Sequence, residues 1–413
     1  MVQKENVFRS IKVVELASFL AAPICGRFLA DLGAEVIKIE SLSGDELRYV
    51  ATGEGRPFDP YEDTTWDLEN AGKKSIAVNL KHESGKEVLL KLLKDANVFI
   101  TNWRTSALVR NGLDYDTLRL KYPKLIFAQI TGYGNKGPDK DLPGFDFTAF
   151  FARGGWLGTL YEKGTEPFNI PAGGGDHQAG MFLAAGILAA LYRAEKTGKG
   201  EMVSVSLFHS AIFDLAVMIQ SAQYGKVLYP IHKRDKINPL ELPYKTKDDR
   251  YIQLAMPPYN RYYPVFIEAI GRPDLKDDER FKDINTMGEN SKLVYDIVKE
   301  AMSTKTLAEW KKILTEADIP FAIAQLWEEI LEDEQAWAND FLYKMKYDNG
   351  NVRTLIRPPV QFKEMGLPEY KRGPYLGENS REILQSLGYS DEEIKYLLDN
   401  KVVGDRIEIK KPS

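Results

Sequence analysis

The sequence predicts an α/β fold built on a parallel sheet, followed by a smaller domain. Two observations carry the prediction. Residues 11–16 (IKVVEL) are a β-rich run, the apolar helical stretch ICGRFLADL follows Pro23 and closes at Gly33, and EVIKIE is a second β-rich run. The same order then recurs, and strands alternating with helices argue for a parallel sheet.

The later elements follow in turn. SGKEVLLKLLKDA reads as an amphipathic helix capped by Ser84 and leads to the strand NVFIT, and YDTLRLKY leads to the strand LIFAQIT. Residues 132–175 hold so many glycines and prolines that they read as one long shaped loop, and the aromatics among them argue against disorder. QAGMFLAAGILAALYRAEKTG reads as a helix buried on most faces, followed by the strand MVSVSL and a second buried helix, HSAIFDLAVMIQSAQY. Beyond it YKTKDDRYIQLAM reads as a hairpin turning at Lys247-Asp248-Asp249. Helices are expected at 293–302 and 307–316, a strand at 352–356 and a last helix ending near Leu398. The expected division is 1–225 for the large domain, 226–322 for the small one, and 323–413 for a return segment with C-terminal helices packing on the large domain.

Composition narrows the function. The chain has 413 residues, 44% of them hydrophobic, enough to bury a core without disulfide or metal staples. With 55 Lys and Arg against 60 Asp and Glu and no block of like charge, a nucleic-acid stripe is not expected, and the partner is a small molecule. The N-terminus lacks the apolar core of a signal peptide, and no apolar run approaches the roughly 18 residues of a membrane span. One cysteine, Cys25, and four scattered histidines (His82, His177, His209 and His232) argue against a metal site and fit a reducing, cytoplasmic setting.

The loop after the first strand, ASFLAAPICG, lacks the glycines of a dinucleotide fingerprint, and no phosphate-binding G-x-x-x-x-G-K-[ST] run occurs. The run PAGGGDHQAG stands out. Gly173, Gly174 and Gly175 let a ligand approach the backbone and present N–H groups beside the carboxylate of Asp176, an arrangement suited to a nucleophile with oxyanion donors. The simpler reading makes Asp176 an N-cap and the glycines a turn. Lys73, Lys74, Lys81, Arg104 and Arg110 stand near strand ends, where they either meet phosphates or are solvated surface.

The runs VVELASFLAAPICGRFLADLGAEVIKIE, TNWR (101–104), GLDYDTL, ITGYG, GFDF (144–147), GGGDH (173–177) and TGKGE together resemble the family III CoA-transferases over essentially the whole chain. Within that family the sequence is most similar to a 2-hydroxyacid branch that acts in anaerobic amino-acid fermentation. The resemblance implies that Asp176 is the catalytic aspartate and that Ser18, Ala21, Val78, Lys81, Asn102, Trp103, Ala107 and Arg110 contact CoA. Ser18, Leu20 and Ser41 stand where the formyl-CoA branch has His, Gln and Arg, which suits a larger, more apolar acyl chain. The branch's active-site glycine run has no counterpart around 246–258.

It further implies a Rossmann-like large domain, a small α+β domain and an interlocked, ring-like homodimer. CoA thioesters are expected as substrates, with no tightly bound cofactor and no metal. The expected substrates are aromatic acids such as (R)-phenyllactate and cinnamate, with branched-chain 2-hydroxyacids next. Acyl-CoA racemases share the fold, but they need a proton-transferring His where this chain has Phe145, and a phenyl ring transfers no proton.

Overall fold

A computed structural model describes residues 8–225, 229–366 and 370–410. The chain divides into two compact units, one made of 1–156, 169–223 and 334–413, the other of 157–168 and 224–333.

The first unit is built on a seven-stranded sheet. Its strands are β1 (Lys12–Leu16), β2 (Glu35–Glu40), β3 (Lys74–Val78), β4 (Val98–Thr101), β5 (Ile126–Thr131) and β6 (Met202–Ser206). The sheet order is β3-β2-β1-β4-β5-β6, all parallel, with the short β12 (Val403–Gly404) antiparallel on the outer edge of β3. Strand order reverses between β1 and β4, and ligands of open α/β sheets bind at such a switch point, beyond the carboxyl ends of the strands.

The helices of this half are α1 (Ala21–Asp31), α2 (Thr64–Asn70), α3 (Glu83–Lys94), α4 (Thr105–Asn111), α5 (Tyr115–Lys121), α7 (Gly174–Thr197), α8 (Leu207–Asp214) and α9 (Ala216–Ser221), and the single turn α6 (Trp156–Thr159) begins where the chain passes into the second unit. Alternate strand residues face opposite sides. Val14, Leu16, Ile37, Ile39, Ile76, Phe99 and Phe127 meet Val88, Leu89, Leu92 and Leu93 of α3 in one buried cluster. Each such aliphatic side chain contributes roughly 1.5–3 kcal/mol by leaving water.

The opposite face carries charge. The register sets Glu15 of β1 opposite Lys38 of β2, and their side chains pair at 3.1 Å with no exposure. Lys73 also binds Glu15, at 2.8 Å, and Lys38 binds Asp45 at 2.9 Å. The α1 backbone approaches so closely that a Cβ on Gly26 would lie 1.9 Å from a Glu15 oxygen. Gly180 of α7 makes a similar close approach, since its Cβ would stand 2.6 Å from the Ala21 carbonyl of α1.

The second unit, with Leu157–Phe168 added, holds the antiparallel sheet β7 (Pro243–Lys245), β8 (Tyr251–Leu254) and β9 (Phe321–Ile323). Its helices are α10 (Tyr259–Ala269), α11 (Ile284–Glu289), α12 (Ser291–Met302), α13 (Leu307–Glu316) and α14 (Trp327–Leu331). They close over Trp310, which is fully buried and donates its indole N–H to the Met302 carbonyl at 2.8 Å. The first unit resumes with α15 (Glu334–Ala338), the hairpin β10 (Leu342–Lys346) and β11 (Val352–Ile356), α16 (Ser380–Ser386) and α17 (Asp391–Asp399).

Four details correct the sequence reading. The cap of α3 is His82, whose Nδ1 accepts from the Ser84 N–H, because His82 holds the extended conformation a cap needs and Ser84 lies inside the helix. The stretch 132–175 is not all loop: Asp146–Ala152 is a π-helical segment, followed by α6. Helix α7 buries one face, along Gly175, Ala179, Gly180, Leu183, Ala184 and Ile187, and leaves Tyr192 66% exposed. The helix expected over 209–224 breaks at Leu215 into α8 and α9, with Phe213, Val217 and Tyr224 exposed.

Candidate active site

A cavity of about 540 Å³ opens at the carboxyl ends of β1, β4 and β5. Phe19, Leu20 and Ala21 come from the β1–α1 loop, Asn102 and Arg104 from the β4–α4 loop, and Ile130 and Thr131 from β5. The segment 142–147 closes another side with Leu142, Pro143, Phe145 and Phe147, and Asp146 and Asp176 supply carboxylates. Arg104 and Lys140 are the cations that line it. Most of this wall is apolar, so a carboxylate within it is poorly solvated.

Asp176 lies in the first turn of α7, three residues after the N-cap Gly173. It is therefore not the cap. Gly173 has φ 98°, a left-handed conformation that glycine adopts without strain, and a Cβ on Gly175 would meet Phe150 at 2.5 Å. The glycines thus set the helix start tightly against the aromatic layer beneath. The N–H of Gly173 donates to Asp146 at 2.7 Å, so it is engaged already. Gly174 and Gly175 are the first helical residues, whose N–H groups have no partner within the helix.

Three titratable groups surround Asp176: Glu69 of α2, Asp146 of the π-helical segment and His177 of α7. Burial first, then the charges of Asp146 and Glu69, push the Asp176 carboxyl up to about 7, and His177 restrains the rise. His177 binds fully buried Glu69 through Nε2 at 2.7 Å. Burial works to lower the His177 imidazolium, but the hydrogen bond and charge of Glu69 outweigh it and hold it above its ordinary value. Burial likewise raises Asp146, against the N–H groups of Gly173 and Phe147. The result is one carboxyl, at a cavity wall, that changes charge near neutrality. It is chemically suited to attack a carbonyl, since desolvation strengthens an anionic nucleophile.

The other predicted positions divide into two groups. Ala21, Asn102 and Asp176 line the cavity, and Ser18 is tied to it through Asn102, whose side chain accepts from the Ser18 N–H at 3.2 Å and donates to the Ser18 carbonyl at 2.8 Å. These two bonds bridge the switch point between β1 and β4. Val78, the last residue of β3, is buried in the core, and Trp103 packs against the same cluster, its carbonyl accepting from Gln129. Lys81 and Arg110 are exposed, and Ala107 is half-buried in α4.

Lys73 cannot meet a phosphate, because it is buried on Glu15, Asn70 and the Pro23 carbonyl. Lys74 is paired with Glu35 and Glu382. Cys25 is buried, and burial beside Glu15 raises its thiol far above the ordinary range. Among the described residues no group of His, Cys, Asp and Glu could hold a metal ion, and no helix is long and apolar enough to cross a membrane.

Sequence reasoning missed Glu69, Phe19 and the role of Asp146. Glu69 gave no signal beyond one acidic residue in TTWDLEN. Phe19 gave none, since its φ of 61° in the left-handed region is visible only in the fold.

Comparison with known proteins supplies the remaining context. The chain is 58% identical to cinnamoyl-CoA:phenyllactate CoA-transferase of Clostridium sporogenes, over 97% of this chain and 98% of that protein. It is 48% identical to (R)-2-hydroxy-4-methylpentanoate CoA-transferase of Clostridioides difficile, over 96% and 99%. Its fold matches the crystal structure of a CAIB/BAIF family protein from Brucella suis with a TM-score of 0.78 and 27% identity, covering 91% of this chain and 98% of that one. A strand order that reverses at a carboxylate-bearing cavity is thus accompanied by likeness along nearly the whole length. With the model of CoA-transferase family III matching residues 8–380, the chain belongs to that family.

Proposed function

We propose that the protein moves CoA from an acyl-CoA to a 2-hydroxycarboxylate through covalent intermediates on Asp176. The observation that carries this reading is the Asp176 carboxyl, buried at the wall of a largely apolar cavity and brought to about 7 by that burial. The ionised carboxylate attacks the thioester carbonyl, giving a mixed anhydride and releasing CoA thiolate. The thiolate attacks the aspartyl carbonyl, forms the aspartyl-CoA thioester and displaces the donor acid as its carboxylate.

The acceptor carboxylate then attacks that thioester and frees the thiolate again. The thiolate takes the acceptor acyl group from the second anhydride and regenerates Asp176. Group transfer of this kind preserves the thioester's free energy at every step, provided water stays out. Phe145, exposed on the cavity side, and the cluster beneath the glycine turn, in which Phe150 stacks on Trp156 and Phe151 meets both edge to face, support exclusion of water.

Ser18, Ala21, Val78, Lys81, Asn102, Trp103, Ala107 and Arg110 are proposed to hold CoA along the β1, β3 and β4 ends, the thioester lying toward Asp176. The names of the relatives support an aromatic or branched 2-hydroxyacid as the acceptor, phenyllactate first, with cinnamoyl-CoA as its donor. No cofactor beyond CoA enters the scheme. A homodimer is also proposed. It is supported by Phe213, Val217 and Ile219 on α8 and α9, apolar side chains that are 42–75% exposed and want cover.

The reading is tested by a panel of 2-hydroxyacids offered with one acyl-CoA donor. Transfer is expected to (R)-phenyllactate and (R)-2-hydroxy-4-methylpentanoate in preference to lactate. Interconversion of the α-carbon configuration of an acyl-CoA, without exchange of CoA between acids, would point to a racemase instead.

A further inference from the structure

We propose that Phe19 and Phe145 form the selective wall of the site, recognising the aromatic or branched side chain of the transferred acid. The inference rests on CoA transfer at Asp176 and concerns which residues choose the acid. The two rings meet edge to face, with centroids 5.6 Å apart and planes at 90°, and both line the cavity that holds Asp176.

Phe19 holds φ 61°, a conformation that a bulky side chain keeps only when its surroundings impose it. The imposing groups are visible. Asp45 accepts from the Phe19 N–H at 3.0 Å, is itself 3% exposed, and is fixed by the fully buried Lys38 at 2.9 Å. On the other side the Asn102 amide grips the N–H and carbonyl of Ser18. A backbone held from both sides in an unfavourable region aims one ring into the cavity.

Phe145 is fixed differently. Its N–H donates to the Thr148 hydroxyl at 3.1 Å, and the next residue, Asp146, binds the Gly173 N–H at the base of the helix that carries Asp176. The ring and the nucleophile are thereby tied to one turn of chain. Phe145 is nevertheless 51% exposed, an apolar surface left for a ligand to cover. A phenyl group completing an edge-to-face cluster would cover it, an isobutyl group would cover it by apolar contact alone, and the methyl of lactate would not reach.

The test compares kcat/KM for (R)-phenyllactate and lactate, with one acyl-CoA donor, in the wild type and in Phe145→Ala, Phe145→Leu and Phe19→Leu. The ratio is expected to fall about tenfold or more in Phe145→Ala and Phe19→Leu, because phenyllactate loses a contact that lactate does not make. Phe145→Leu keeps most of the volume, so it reports on the site even where the alanine variant folds poorly. Hydroxylamine capture of the aspartyl thioester, which needs no acceptor, gives the fraction of competent enzyme in each sample. Ratios within about threefold of wild type in competent variants would overturn the inference. Capture failing in the wild type would instead overturn the reading of Asp176, and this inference with it.

Discussion

Asp176→Asn is expected to lower CoA transfer by at least about 10⁴-fold and, above pH 7, to make the protein more stable. The activity loss follows because an amide is no nucleophile. The stability gain follows from linkage. Burial and the charges of Asp146 and Glu69 raise the Asp176 carboxyl from 3.8 to about 7 in the folded protein. A carboxyl raised on folding lends its full stability below the unfolded value, and that contribution is lost as pH rises through the folded value. Above pH 7 the wild type therefore holds a buried charge that unfolding would return to water.

Asparagine has the same shape and no charge. At pH 8 the variant is expected to gain on the order of 2–4 kcal/mol, and at pH 3 almost nothing. Chemical unfolding at the two pH values measures both. The same ionisation makes the wild type's kcat/KM rise with pH up to about 7 and level off above it. A variant less stable than the wild type at pH 8 would contradict the description of Asp176 as a strained, buried nucleophile.

Lys38→Met is expected to cost roughly 3–5 kcal/mol, because it leaves buried carboxylates without their partner. Burial works to lower the Lys38 ammonium, yet Asp45 and Glu15 override it and leave it above its ordinary value. With the ammonium gone, Glu15 keeps Lys73, but Asp45 loses the cation that faces it and with it the anchor of the Phe19 N–H. The double variant Lys38→Met/Asp45→Asn is expected to recover part of the loss, since an asparagine carbonyl still accepts from Phe19 and carries no charge. Urea unfolding of the two single variants and the double variant gives the coupling directly. If Lys38→Met alone unfolds at the same urea concentration as the wild type, the buried network is not what holds this loop.

These two residues show what a sequence reveals and what it hides. The strands Lys12–Leu16, Glu35–Glu40 and Ile126–Thr131 were legible because β-branched runs between helix-ending glycines carry a local signal. Asp176 was legible for a different reason: three glycines before a carboxylate drew the eye but fitted an N-cap as well, and its role, like the meaning of Phe145, came from the resemblance to the family III CoA-transferases. Lys38, Glu15 and Lys73 were not. Nothing local says that a lysine in EVIKIE is fully buried, since its burial comes from pairing with residues 23 and 7 positions away and from a helix laid over them.

The same limit explains Lys73, which looked available to a phosphate and is enclosed. It explains α7 and α8 as well. Their small and apolar residues suggested burial on most faces, but α1 and the sheet cover one face of α7, and the π-helical segment and α7 cover one side of α8. Phe19 marks the boundary most sharply, because its strained φ follows from Asp45 and Asn102, which lie 26 and 83 residues further along the chain.

The central claim is that Asp176 carries the acyl and CoA groups covalently. Incubation with an acyl-CoA and hydroxylamine, followed by mass spectrometry of the digested protein, tests it most directly. The expected result is a hydroxamate on Asp176 alone, formed in step with the loss of transferase activity. A modified residue elsewhere, or undiminished turnover with no modified residue at all, would contradict the account.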